Sequence, residues 1–331
     1  MLAKKISAIC FIVGLFSILL ISNKVHANTI GWSQWVQELR AEAIAKGIRP
    51  ELFDEVFRNI PEPNRKILNF DRHQPEQRIT FIKYRDTRAD PYRIRLGQSA
   101  FRHNKDMLNQ IGYKYGVNPC FIVSLWGLET SYGHFMGSFP VVQSLATLAY
   151  DTRRSAFFRK ELFYALEILN GGHVGIQDFK GEWAGASGHP QFLPSSWHKY
   201  AVDEDGDGKR DIWHSHMDVF ASMANYLIQN GWQRNQPWAI EVRVPENVAS
   251  TFANNKIAKT LTEWKSLGLQ TINGQPWPEE TLQAELIRPL GGPDFLIFNN
   301  FKVLMKWNHS VYYVGSVGFM AEKICGKPLY N

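Results

Sequence analysis

Cysteine is scarce in this chain. There are three in 331 residues, and Cys10 lies inside an apolar leader, which leaves Cys120 and Cys325. Two cysteines make no disulfide framework for a large domain, so they are expected as packed thiols, with a single bridge left open. Long hydrophobic runs are also few. Only Ile6 to Ser22 qualifies, behind Lys4 and Lys5 and ahead of Val25-His26-Ala27. It is short for a membrane span and has the layout of a secretory signal peptide, cut after Ala27, so the mature protein is expected in the periplasm. Removing Lys4, Lys5 and Lys24 with no acid takes the formal charge from +6 to +3. So mild a charge leaves no footprint for nucleic acid. Internal repeats and low-complexity tracts are absent, whereas hydrophobic residues make up 44% of the chain, enough for a well-covered core.

What is present is mostly helical periodicity. Asn118 and Pro119 read as N-cap and first residue of a helix in which Ile122, Leu125 and Trp126 follow helical spacing, with Gly133 as its stop. Glu129 falls on that same apolar stripe, one turn beyond Leu125 and Trp126. Burial disfavours the charged form of a carboxyl group, and a carboxylic acid kept neutral near pH 7 is what a general acid must be. The same pattern also suits a structural glutamate bonded to a neighbour.

Residues 30–60 read as helix, 61–91 as an extended surface connection rich in Pro, Arg and Asp, and 92–115, 156–169 and 218–230 as further helices. Residues 181–194 are dominated by glycine and proline and read as a loop. After Trp238 the texture changes: Ile240 to Val244 alternates with period two, and 282–290 and 295–301 are short apolar runs. The expected division is a signal peptide (1–27), a helical N-terminal lobe (28–117), a helical core (118–235), a small β-containing subdomain (236–300) and a C-terminal segment whose helix returns to the core (301–331).

The stretch from Asp203 to Asp218 carries the most specific local signal. Asp203, Asp205 and Asp207 occupy positions one, three and five of an EF-hand-like loop, with Gly208 at six, the Lys209 carbonyl at seven and Asp211 at nine. His214 replaces the usual glutamate at twelve, and Asp218 can close the site instead. A structural Ca2+ is the expected occupant, and no organic cofactor is expected. Arg153-Arg154 can clamp an anion, although arginines at a helix start are commonly just solvated. Trp126, Trp183, Trp197, Trp213 and Trp232 crowd one third of the chain, and flat aromatic faces stack well on sugar rings.

Together, Asp71–Asp86, Tyr115–Gly133, Leu145–Phe158, Gly185–Trp197, Ala201–Trp213 and Ala224–Trp232 resemble, in order, the peptidoglycan lytic transglycosylases of the membrane-bound B type, glycoside hydrolase family 103. The resemblance spans nearly the whole mature chain. It implies a mainly α fold with a lysozyme-like helical core, a helical N-terminal lobe and a small β-rich lobe, with the glycan strand between them. It places the catalytic acid on Glu129. That residue would protonate the glycosidic oxygen, the substrate's N-acetyl group would stabilise the cationic centre, and Glu129 would then deprotonate the C6 hydroxyl to close a 1,6-anhydro ring. By the same resemblance Tyr84, Arg153, Arg154, Gln191 and Tyr226 line the cleft, and the aspartates of residues 203–218 hold Ca2+. Peptidoglycan glycan strands are the expected partner, other cell-wall enzymes are further candidates, and the chain is expected to be a monomer.

Three positions depart from the family pattern. Glu182 stands where the family has a cleft serine, Ser187 where it has methionine, and Trp307 begins a Trp-Asn pair where Tyr-Asn is common. Near Glu129, a charged Glu182 would raise its pKa further, or would act as the second carboxylate of a true hydrolase. A glycan-binding protein with impaired catalysis is the third reading. Glu182 facing the cleft is the expectation carried forward.

Overall fold

A computed structural model describes residues 30–73, 79–326 and 329. The expected signal peptide lies outside the described residues. Helices α1 (Trp32–Ala45) and α2 (Pro50–Phe57) bury stripes that include Trp35, Leu39, Phe53 and Phe57. Residues 61–91 are not the extended connection expected from the sequence. They hold α3 (Arg65–Arg72), capped by Asn64, and α4 (Phe81–Arg88), capped by Thr80. Each has eight residues, and α3 buries only Ile67 and Asp71 while α4 buries only Phe81. Their charged faces therefore hide the helical period.

Then follow α5 (Pro91–His103), α6 (Lys105–Tyr115) and α7 (Pro119–Thr130). A short strand pair, β1 (Phe139–Pro140) with β2 (Lys180–Gly181), brackets α8 (Val141–Tyr150) and α9 (Ser155–Asn170). Helices α10 (Pro194–Tyr200) and α11 (His216–Gln229) complete the central region. Helix α7 is buried almost all round, from Cys120 to Gly127, as befits a helix at the centre of a bundle. Helices α1–α3 pack about α8 and α9, while α5 and α6 pack against α7. Residues 30–117 thus share one hydrophobic core with the central helices.

The chain continues through β3 (Ala239–Arg243), α12 (Glu246–Phe252), β4 (Ala258–Thr260), α13 (Leu261–Ser266), β5 (Gln270–Thr271), β6 (Gln283–Ile287) and β7 (Asp294–Ile297). The strands form an antiparallel sheet in the order β4-β6-β7-β3-β5. A second core lies against it, with Trp264 fully buried and its indole N–H donated to the Ala284 carbonyl at 3.0 Å. Helices α14 (Asn299–Trp307) and α15 (Val311–Cys325) return to the main core.

Helix α15 lies along α7, with the Ser124 hydroxyl donating to the Val317 carbonyl at 2.7 Å. The end of α15 meets the start of α7, so Cys325 and Cys120 have Cα atoms 6.0 Å apart and form a disulfide. The expectation of two packed thiols is therefore corrected. The cysteines are 205 residues apart in sequence, and only the packing of the two helices brings them together.

Candidate active site

Helix α7 presents Glu129. Asn118 caps its start by accepting the Cys120 amide at 2.9 Å, and Pro119 occupies the first turn, where no donor is needed. The helix stops at Thr130 rather than at Gly133, because Ser131 and Tyr132 both turn left-handed, with φ of 50° and 63°. That turn folds the Tyr132 ring back beneath the helix, where its hydroxyl donates to the Arg93 carbonyl at 2.8 Å. A Cβ on Gly127 would come within 2.5 Å of the Tyr132 ring, so glycine is required before Leu128-Glu129. Trp126 donates its indole N–H to Nδ1 of buried His189 at 2.8 Å, fixing the loop opposite. Burial and neighbouring His216 lower the His189 pKa to about 4, so the imidazole is neutral and can accept that bond.

The Glu129 carboxyl is half-buried, and its Oε1 receives two donors. Trp307, the last residue of α14, donates its indole N–H at 2.7 Å, and Tyr313, in the first turn of α15, donates its hydroxyl. Burial raises the Glu129 pKa above the ordinary glutamate value. The two hydrogen bonds and the charge of Arg88 oppose that rise without cancelling it. Tyr313 is held well above its usual value by burial and by the adjoining carboxylate, so it remains a donor.

Around this pair, Tyr84 stacks edge-on against Tyr312, with Arg88 over its ring, 5.7 Å from the centroid. Gln191 takes a left-handed backbone, φ 52°, and its side-chain amide N–H groups bond the Met136 and Gly188 carbonyls. Among the described residues its buried Oε1 has no hydrogen-bond partner. Tyr226 is almost fully buried behind Trp307, their rings 4.7 Å apart, and spends its hydroxyl on the Lys306 carbonyl at 2.6 Å. It supports the Trp307 segment.

Arg153 and Arg154 are not free. Both pair with Asp71, whose side chain is 3% exposed, and Arg153 also bonds the Asp71 carbonyl at 3.1 Å. Among the described residues no hydrogen bond or ion pair joins this network to Glu129. Glu182 is exposed, with no side-chain hydrogen bond or ion pair among the described residues, and it is not among the charges that act on Glu129. Burial is the largest influence raising the pKa of the Glu129 carboxyl. Ser187 is buried, and its backbone pairs with Phe192.

With this geometry in view, residues 31–322 match the transglycosylase SLT domain. The chain belongs to that family. It is 30% identical to the membrane-bound lytic murein transglycosylase B of Escherichia coli K12 over 254 residues, 74% of this chain and 67% of that one. SltB3 from Pseudomonas aeruginosa, solved in complex with NAG-anhNAM-pentapeptide, superposes with a TM-score of 0.86 at 40% identity, covering 90% of this chain and 80% of that one. The E. coli lytic transglycosylase Slt35, solved in complex with calcium, gives 0.75 at 27% identity, covering 88% and 92%. The mainly α, lysozyme-like fold with its small β subdomain is thus the SLT-family fold.

The acidic loop of this SLT domain gathers fewer ligands than the sequence offered. Carboxylate oxygens of Asp203, Asp205 and Asp218 lie within 4.8 Å of one another. Asp207 turns to the Lys209 amide at 2.8 Å, and Asp211 to the Trp213 and His214 amides at 2.9 Å each, so these two close turns. Buried Asp218 accepts the amides of Glu204 and Asp211, at 2.7 and 2.8 Å, which fastens the loop to the start of α11. Burial and the charge of Asp205 push Asp218 up to about 6. Three converging hard oxygens that repel one another fit a divalent cation such as Ca2+.

Nothing local in the amino-acid pattern marked Tyr313 or Arg88 as neighbours of Glu129, or Asp71 as the partner of the arginine pair. Trp307 and Tyr313 lie 178 and 184 residues from Glu129 along the chain. The departure from Tyr-Asn at Trp307 was the one local hint.

Proposed function

We propose that this chain cleaves the β-1,4 bond between N-acetylmuramic acid and N-acetylglucosamine in peptidoglycan as a lytic transglycosylase, with Glu129 as its one acid and base. The observation that carries this is the half-buried Glu129 carboxyl, protonated more readily than an ordinary glutamate and fixed by Trp307 and Tyr313. Glu129 gives its proton to the glycosidic oxygen as the C1–O bond breaks, and the substrate's N-acetyl group stabilises the cationic carbon. The glutamate then takes the proton of the C6 hydroxyl while that oxygen bonds C1. The first proton leaves with the departing sugar's new hydroxyl, the C6 proton restores Glu129, the product end is a 1,6-anhydro sugar, and no water is consumed. An ordinary glycosidase needs a second carboxylate beside the first, and exposed Glu182 does not act on Glu129.

We assign Gln191 and the Tyr84–Tyr312 aromatic pair to the walls of the glycan cleft, Gln191 holding its backbone turn and Tyr84 offering an aromatic face. Ca2+ in the loop would be held by Asp203, Asp205 and Asp218 and would tie that loop to α11. Residues 1–27 would export the chain to the periplasm, where its substrate lies. Among the described residues no helix is long and apolar enough to cross a membrane.

The test is Glu129→Gln, which keeps size but removes the acidic proton. General acid–base catalysis is worth about 10²–10⁴-fold, so lytic activity on purified peptidoglycan should fall by that factor with folding retained. A folded variant with most of its activity would place the acid elsewhere.

A further inference from the structure

Both donors to Glu129 converge on the same oxygen. Trp307 Nε1 lies 2.7 Å from Oε1 and the Tyr313 hydroxyl reaches the same atom, so both of its lone-pair directions are taken. Putting the acidic proton there would break one of these bonds. The indole adds a constraint that a hydroxyl would not. A tyrosine O–H can rotate to donate or accept, whereas an indole N–H only donates.

The ring is also held firmly in place. It packs against Tyr226 at 4.7 Å and Phe192 at 5.4 Å, the Tyr226 hydroxyl anchors the Lys306 carbonyl, and Lys306 Nζ reaches the Asn230 carbonyl at 2.8 Å.

We propose that Trp307 is a positioning residue for the acid: its donor-only indole, with Tyr313, claims Oε1 and leaves Oε2 as the oxygen that carries the proton to and from the sugar. This rests on the transglycosylase reading of Glu129. In one group, the arrangement serves both halves of the reaction. The free oxygen donates first, and the two bonds on the other oxygen stabilise the carboxylate that must then act as base. Among the described residues, the charged and titratable groups acting on Glu129 are Arg88 from α4 and Tyr313 from α15, with Tyr84 beyond Tyr313. None of them replaces an N–H lost from position 307.

The test is Trp307→Phe, which keeps an aromatic ring and removes the donor, set beside Trp307→Tyr, which restores a hydroxyl. Glutamate labelled with carbon-13 at the carboxyl allows Glu129 to be titrated by NMR, its signal assigned from Glu129→Gln. A donor to the charged form lowers the pKa, so Trp307→Phe should raise the Glu129 midpoint by about one pH unit, and Trp307→Tyr should return it part-way. In parallel, kcat should fall about tenfold with KM nearly unchanged, and the alkaline limb should move up with the NMR midpoint. An unmoved midpoint in folded Trp307→Phe would overturn the proposal, whatever its activity. A moved midpoint in a protein that yields no anhydro products would instead fault the transglycosylase reading and leave the clamp standing.

Discussion

Replacing both bridged cysteines, Cys120→Ala with Cys325→Ala, separates what holds the fold from what performs the chemistry. The bridge spans 205 residues. The loop-entropy relation gives about 5 kcal/mol for a closed loop of that length, and measured native bridges more often contribute about 2–4 kcal/mol. At a loss of about 3 kcal/mol, the melting temperature of a chain this long should drop by about 5 °C. The bridge joins the first turn of α7 to the last residue of α15, whereas Glu129 lies near the other end of α7, about 14 Å along the helix axis. Between them the Ser124–Val317 hydrogen bond and the buried faces of both helices still hold the register. The double variant should therefore keep kcat within about twofold at 25 °C while melting earlier, and reductant should shift only the wild type. Thermal unfolding with and without reductant, a free-thiol count under denaturing conditions and lysis of purified peptidoglycan make the assay. Two free thiols at Cys120 and Cys325 in the purified protein, or a melting temperature indifferent to reductant, would refute the bridge. A collapse of kcat at a temperature where the double variant is folded would refute the separation of staple from site.

Ca2+ added to chelator-treated protein should raise the melting temperature, and Asp205→Asn should abolish the rise, since only ligand bound to the native state stabilises it. Asp207→Asn should leave most of it, because that carboxylate caps a turn. Glu182→Ser should leave both rate and pH profile unchanged, as expected for an exposed carboxylate that does not act on Glu129. Glu129→Gln should melt no lower than wild type. A carboxyl whose pKa is raised on folding stabilises most at low pH and loses that contribution as pH rises past the ordinary glutamate range, so the variant's advantage should be greater at pH 8 than at pH 4. Melting curves at the two pH values check the sign.

Much of the site could be read locally, because the relevant signals are local. Asn118-Pro119 starts a helix by chemistry that acts over three residues, and the period-two run at Ile240 marks a strand without help from the rest of the chain. What stayed hidden depends on contacts made far along the chain. Helices α3 and α4 are too short and too charged to show a period, and their stability comes from caps and from Ile67 and Phe81 buried against distant elements. The arginine pair looked like a ligand clamp because its partner, Asp71, lies in a segment read as extended. Ser131 stops α7 before Gly133 because Tyr132 must fold back into the space above Gly127, a constraint invisible without the tertiary packing. Glu182 was expected to face the cleft from its position in the family pattern, and the structure shows it exposed with no hydrogen bond or ion pair to Glu129.

Digestion of purified peptidoglycan in water enriched in heavy oxygen, followed by mass spectrometry of the muramic acid ends, tests the central claim most directly. With Glu129 as sole acid and base, the C6 hydroxyl is the nucleophile, so the ends should be 1,6-anhydro sugars, lighter than reducing ends by one water and free of the heavy isotope. Reducing ends carrying heavy oxygen would mean that water attacks, that a second base is at work, and that the single-glutamate mechanism is wrong.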